Sequence, residues 1–358
     1  MTESPRSEAE CCTAYLDAQP SQYIREVPIG NCLLNSDQSL IDGAQGPLAM
    51  SADGIHSPPD STTETLIECK QTPSLTGIGQ LLIYSYLRKR DRDLVCKWHA
   101  DRDSGWETKG AVEAFRSHVF QCTKNEPAAS KTYQPKPQLD RIDKRLVVSN
   151  LDASAAPLLA GCHELGITVD YAEAGRWRTL PPDQFAPTTP EGTVSCESWV
   201  TSKSRERLQS DAEESLAQEF CSLLSDVFGF SDIRPYREVP IGSQLSASLA
   251  GARRADLLVN ADGTWFVVEI KRNSAARATR PFLKSVGQAS TYAVLFASEW
   301  NLQTSRVIPV VVQQPVPILG NCYRQDRYGL DYREMVRNAT ADMGQPLIIG
   351  PSATLESG

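Results

Sequence analysis

The sequence predicts an α/β protein built as two tandem domains. Three observations carry that expectation. The hexapeptide Arg-Glu-Val-Pro-Ile-Gly occurs twice, at residues 25–30 and 237–242. Each copy is followed by the same ordered polar series: Asp53, Glu68, Lys70, Gln80 and Tyr84 after the first, and Asp256, Glu269, Lys271, Gln288 and Tyr292 after the second. In each series the Glu and Lys close an apolar, β-branched run that reads as a strand, and the Gln and Tyr share a stretch that reads as a helix.

The elements follow in order. The first copy opens with a helical stretch over residues 8–18. The second opens with a longer one over 211–228, where Leu216, Phe220, Leu223, Leu224 and Val227 fall at helical spacing. Glu10 and Glu219 take comparable places on these helices. Beyond the hexapeptide, the run 265–271 is bounded by the turn Ala261-Asp-Gly-Thr264 and reads as a central strand buried on both faces; residues 65–70 match it. Asp256 lies near the start of a neighbouring strand. Helices then continue to about residues 88 and 297. Further on, Arg145-Leu-Val-Val resembles Arg306-Val-Ile-Pro, residues 157–162 resemble 317–322, and Val169-Asp-Tyr171 resembles Leu330-Asp-Tyr332.

A repeat period of roughly 200 residues is a domain duplication rather than a solenoid. The first domain is expected over residues 1–180. It carries about 47 extra residues, an insertion in about 89–140. A Pro-, Thr- and Ser-rich linker follows over 181–204, and the second domain covers 205–358. A chain of 358 residues can give each half its own core.

Composition narrows the function classes. With 41% hydrophobic and 22% charged residues, the chain is of globular rather than disordered type. No run approaches a membrane span, and the first residues lack the basic and apolar regions of a secretory signal, so a cytoplasmic location without membrane partners is expected. The ten cysteines include no C-x-x-C and are expected to be reduced. A net charge of −8 argues against a generic polyanion binder. A local basic run (Arg253, Arg254, Lys271, Arg272, Arg277, Arg280 and Lys284) nevertheless surrounds the second acidic series and suits a phosphate track.

Alternation along a strand puts Glu269 and Lys271 on one face, and Glu68 and Lys70 likewise. A carboxylate and an ammonium on one face of a buried strand are unfavourable unless something uses them. With Asp256 on an adjacent strand, two carboxylates can reach a common cation, and hard oxygen ligands suit Mg²⁺ or Mn²⁺. Gln288 and Tyr292, four residues apart, share a helix face from which they can touch a phosphate backbone or support the lysine; Gln80 and Tyr84 do the same. In the first copy Asp60 competes with Asp53. Asp60 sits in a Ser-Pro-Pro-Asp-Ser turn, where Asp is favoured for local hydrogen bonding, so Asp53 is taken.

The order Asp, Glu-x-Lys, Gln-x-x-x-Tyr resembles the PD-(D/E)xK nuclease superfamily, and its RecB-like branch most closely, over most of each half. The resemblance implies two tandem restriction-endonuclease-like domains, each a mixed central β-sheet flanked by helices. It also implies divalent-metal-dependent hydrolysis of phosphodiesters, DNA being the expected substrate. Asp256, Glu269 and Lys271 are then the metal ligands and catalytic lysine of one site, and Asp53, Glu68 and Lys70 those of the other. Glu238 and its counterpart Glu26, or Glu219 on the preceding helix, supply the additional upstream acid. The fused copies would act as a pseudo-dimer, alone or within a further oligomer. The alternative is a non-catalytic nucleic-acid-binding or assembly module that keeps the fold without the reaction.

The insertion holds Cys96, His99, His118 and Cys122, two close ligand pairs of a type that suits tetrahedral Zn²⁺. No phosphate-binding Gly-Lys-Ser/Thr loop is present, so no ATP motor is expected.

Overall fold

The computed structural model describes residues 7–19, 23–29, 50–58, 61–85, 88, 140–151, 155–181, 194–226, 228–242, 253–271 and 279–313. The chain is α/β, with two mixed sheets flanked by helices.

The first unit begins with α1 (Glu8–Ala18). Its start is fixed by a capping box in which the Ser7 hydroxyl accepts the Glu10 N–H and the Glu10 carboxylate accepts the Ser7 N–H. Strands β1 (Ile24–Ile29), β2 (Met50–His56) and β3 (Thr63–Lys70) follow as an antiparallel meander. Helix α2 (residues 75–85) then crosses back so that β4 (Arg141–Val148) lies parallel to β3. Helix α3 (Ala156–Glu164) leads to β5 (Ile167–Glu173), parallel to β4, and β6 (Arg176–Thr179) closes the edge antiparallel. The six-stranded sheet runs β1-β2-β3-β4-β5-β6.

The second unit repeats the plan. Helix α5 (Asp211–Asp226) precedes β7 (Ile233–Pro240), β8 (Arg254–Ala261) and β9 (Thr264–Lys271), again an antiparallel meander. Helix α6 (Thr279–Glu299) returns the chain to β10 (Val307–Gln313), parallel to β9. The four-stranded sheet runs β10-β9-β8-β7. The registers agree residue for residue: Val27 faces Ala52 as Val239 faces Ala255, and Gly54 faces Ile67 as Leu257 faces Val268. Asp53 therefore occupies the place of Asp256.

One pairing from the sequence shifts. Glu68 stands beside Leu146 in the first sheet and Glu269 beside Val311 in the second. Arg145 thus answers to Val310 rather than to Arg306, four residues away. In a valine-rich run every alternate register keeps an apolar face inward, so the pattern alone did not fix the alignment. The segment read as a linker also contains a helix. Its end forms α4 (Cys196–Lys203), started by the Ser195 hydroxyl and seated by the buried Val200 and by Trp199 against Trp300, ring centroids 5.3 Å apart.

Hexapeptide arginines anchor strands to helices. Arg237 grips Glu214 of α5 with its Nε 2.9 Å from both carboxylate oxygens, and Arg25 pairs with Asp17 of α1. Beneath α1, Asp170 accepts hydrogen bonds from Tyr15 at 2.6 Å, Arg145 at 2.8 Å and Thr179 at 2.7 Å, tying three strands to the helix.

The two units share a core. Val286, Ala289 and Val311 pack with Ile78, Leu81, Leu82 and Leu146 of the first unit, and Ala160 of α3 packs with Tyr292 and Phe296 of the second. Corresponding helices meet at corresponding residues: Gly287 of α6 lies against Leu75 and Gly79 of α2. Where backbones come this close, glycine is required because no Cβ fits.

Candidate functional site

In each unit a carboxylate pair forms at the carboxyl end of the central strand. Alternation along β9 brings Glu269 and Lys271 to one face, and β8 delivers Asp256 beside them. Lys271 Nζ donates to Glu269 at 3.0 Å and to Asp256 at 3.3 Å. The Ile270 N–H donates to Asp256 Oδ2 at 2.8 Å, which sets the orientation of that carboxylate from the backbone. Glu269 is fully buried, and its Oε1 has no hydrogen-bond partner among the described residues.

The first unit reproduces this geometry. Lys70 Nζ donates to Glu68 Oε1 at 2.7 Å, and the Cys69 N–H donates to Asp53 Oδ2 at 2.7 Å. Glu68 is buried, and its Oε2 lacks a partner among the described residues. Here a third acid joins: Glu8, at the start of α1, also accepts from Lys70. Oxygens of Glu8, Asp53 and Glu68 lie within 4.8 Å of one another.

Electrostatics follow from burial. Desolvation, reinforced by the Asp53 charge and offset in part by Lys70, pushes the Glu68 carboxyl up to about 8. Desolvation and Asp256 hold Glu269 well above the ordinary carboxylate range against the pull of Lys271. Burial alone would lower both lysines, but the adjacent carboxylates outweigh it and leave both raised. Both amines are therefore ammonium groups at neutral pH.

The helix residues complete each site. Gln80 Nε2 donates to the Tyr84 hydroxyl at 3.1 Å, and Gln288 is likewise hydrogen-bonded to Tyr292. Burial first, then the nearby Glu68 or Glu269 charge, raises both phenols, so Tyr84 and Tyr292 act as neutral donors.

Other sequence-derived candidates fall elsewhere. Glu238 has a left-handed backbone, φ 51°, and its carboxylate accepts from Gln209 at 3.3 Å and pairs with Arg205 and Arg254, each at 3.7 Å. A non-glycine residue in that conformation within a strand turns its side chain out of the alternating pattern. Glu219 is exposed on α5. Glu26 lies on β1, with its side chain outside the described residues. The acid that the structure brings to a carboxylate pair is Glu8, which the repeat did not mark. Arg253 is half-buried; burial lowers its guanidinium, with Tyr292 acting in the opposite sense. Arg254 donates to the Lys203 carbonyl at 3.0 Å. Arg272, Arg277, the Arg280 side chain, Asp60 and the proposed zinc ligands Cys96, His99, His118 and Cys122 lie outside the described residues. So do residues 317–322 and 330–332 of the repeat.

The donor set fits a hard divalent cation: each site offers two carboxylates on adjacent strands, one of them buried with an unpartnered oxygen. Among the described residues, no helix is long and apolar enough to cross a membrane. No protein-family profile, curated protein or solved structure matches this chain.

Proposed function

We propose that this chain is a divalent-metal-dependent nuclease acting on DNA, with two fused nuclease-like units working as a pseudo-dimer. The observation that carries the reading is the doubled site. In both units a buried Glu with one unpartnered oxygen, an Asp oriented by a strand N–H, and an ammonium occupy corresponding positions. Such a cluster is unfavourable when empty, because an unpartnered buried carboxyl oxygen has lost its water without replacement. A cation relieves that penalty.

Asp53 with Glu68, and Asp256 with Glu269, would hold Mg²⁺ or Mn²⁺. The bound ion supplies Lewis acidity at a phosphate oxygen. The charged state of Lys70 and Lys271 gives them a defined part. As ammonium groups they donate to the attacking water or to the phosphoryl oxygens and offset charge developing there; they do not serve as bases. Gln80 with Tyr84, and Gln288 with Tyr292, offer neutral donors for the substrate backbone.

The test is Lys70→Ala and Lys271→Ala, made singly and together, with supercoiled plasmid and Mn²⁺. Each single change is expected to slow second-strand cleavage and leave nicking, and the double change to lower the rate by roughly 10²-fold or more. Undiminished cleavage by the double variant would refute the assignment. A non-catalytic nucleic-acid-binding role suits the first unit specifically, since Glu8 further engages Lys70 there. In that case Lys271→Ala alone abolishes cleavage and Lys70→Ala leaves it unchanged.

A further inference from the structure

A second ligand set lies on the opposite face of β3. Cys69, between Glu68 and Lys70, projects away from both and is fully buried. Its thiol is hydrogen-bonded to those of Cys11 and Cys12 on α1, and all three cysteines are free. Cys11 Sγ lies 3.6 Å from the Lys70 carbonyl, and Cys12 Sγ 3.9 Å from the Asp53 carbonyl. The sulfurs of Cys12 and Cys69 and one Asp53 carboxylate oxygen all fall within 4.8 Å of one another.

The second unit shows that packing at the strand position of Cys69 does not require sulfur. The β3 and β9 registers place Ile270 where Cys69 stands. On α5 the buried Leu216, Phe220 and Leu224 pack in one cluster with Ile270, and Cys221 lies partly buried against it. The strand position that is apolar in the second unit therefore carries a thiol in the first, where the thiols of Cys11 and Cys12 meet it.

We propose that Cys11, Cys12, Cys69 and Asp53 form a site for a thiophilic divalent cation of the Zn²⁺ class. Two sulfurs and one oxygen lie within 4.8 Å of one another, and the Cys11 thiol, hydrogen-bonded to Cys69, supplies the fourth donor; this set has the softness that such an ion takes, whereas Mg²⁺ and Mn²⁺ take oxygens. Each coordinating thiol gives up its proton to solvent on binding, with no change of oxidation state. Asp53 belongs to both ligand sets. On the nuclease reading, occupancy by Zn²⁺ withdraws a ligand from the first unit's hard-cation site and silences that unit alone.

Co²⁺ serves as the probe, added anaerobically to the metal-free full-length chain carrying Cys96→Ser and Cys122→Ser, which removes the thiols of the insertion. The expected result is one equivalent of Co²⁺ with a sulfur-to-cobalt charge-transfer band, bleached by Zn²⁺. Adding Cys12→Ala and Cys69→Ile, the latter being the residue at the matching strand position of the second unit, should abolish the band. Cys69→Ser is a second variant should that pair fold poorly. No band in the parent, or a band that survives in either variant, overturns the proposal. Cleavage by Lys271→Ala protein, with and without Zn²⁺, then tests the linkage. If that protein never cleaves, an active first site is excluded while the cobalt result stands.

Discussion

A Cβ at Gly287 would stand 1.9 Å from the carbonyl oxygen of Leu75, on the corresponding helix of the other unit. Backbone atoms cannot yield as a flexible side chain does, so Gly287→Ala must push α2 and α6 apart. The two Gln-x-x-x-Tyr faces begin one residue beyond Gly79 and Gly287, and they would move with the helices. The expected loss is about 2 kcal/mol or more in urea unfolding, well beyond the small effect of Ala in an unstrained helix. A variant of unchanged stability would mean that the helices are not held in this contact.

Glu68→Gln and Glu269→Gln separate binding from folding. Burial raises both carboxyls above the ordinary carboxylate range, and an amide has nearly the shape and charge of the protonated form. At a pH of about 4.5 or below each substitution should change metal-free stability by less than about 1 kcal/mol, and at neutral pH each should remove one of two Mn²⁺-binding events in calorimetry. Two unchanged binding events would show that the ions sit elsewhere.

The sign of the pH dependence follows from the raised carboxyl. The folded state holds the Glu68 proton up to about 8, whereas the unfolded chain releases it near 4.5. The stability contributed by this proton is fully present below the lower value. It is lost progressively as pH rises toward and through the higher one, by about 1.4 kcal/mol per pH unit in between. Without metal, wild type should therefore weaken relative to Glu68→Gln as pH rises from about 5 to about 8. Mn²⁺ must displace the same proton, so its affinity should rise with pH over that interval. A flat difference between the two proteins would contradict the assignment of a buried neutral acid.

Asp170→Ala removes the acceptor shared by Tyr15, Arg145 and Thr179, and leaves Arg145 without its anionic partner. Breaking a buried pair on one side typically costs about 3–5 kcal/mol. A lower figure suits Arg145, which is about one-third exposed. Thermal unfolding should show the loss, with Mn²⁺ affinity of the second unit unchanged.

How far the sequence reveals this arrangement depends on the kind of signal. Glu269 and Lys271 close a short, uniformly apolar run, and such a run is read as a buried strand with little ambiguity. Asp256 followed from the order of motifs, and register places Asp53 rather than Asp60 at the matching point of the other sheet. Glu8 escaped notice because acids in a first helical turn are common for electrostatic reasons, and the capping role of Glu10 already explains local acidity. The signal was nevertheless present: Ser7-x-x-Glu10 fixes the helix start and leaves Glu8 without a capping duty. Glu238 was marked by its place in the hexapeptide, and what the sequence does not show is its positive φ and the pairing of its carboxylate with Arg205 and Arg254. The thiol cluster was invisible because Cys69 is distant in sequence from Cys11 and Cys12. Only the packing of α1 on β3 unites them.

Fusion changes what a substitution can do. In a particle made of two identical chains, every altered residue appears twice, and neither half can acquire a property that the other lacks. Here Cys69 and Ile270 hold corresponding places in one polypeptide, so each face can be altered alone. With Gly287 and Leu75 locking the halves together, the chain has the standing asymmetry of a heterodimer without a mispairing problem, because the two halves are always made in equal number.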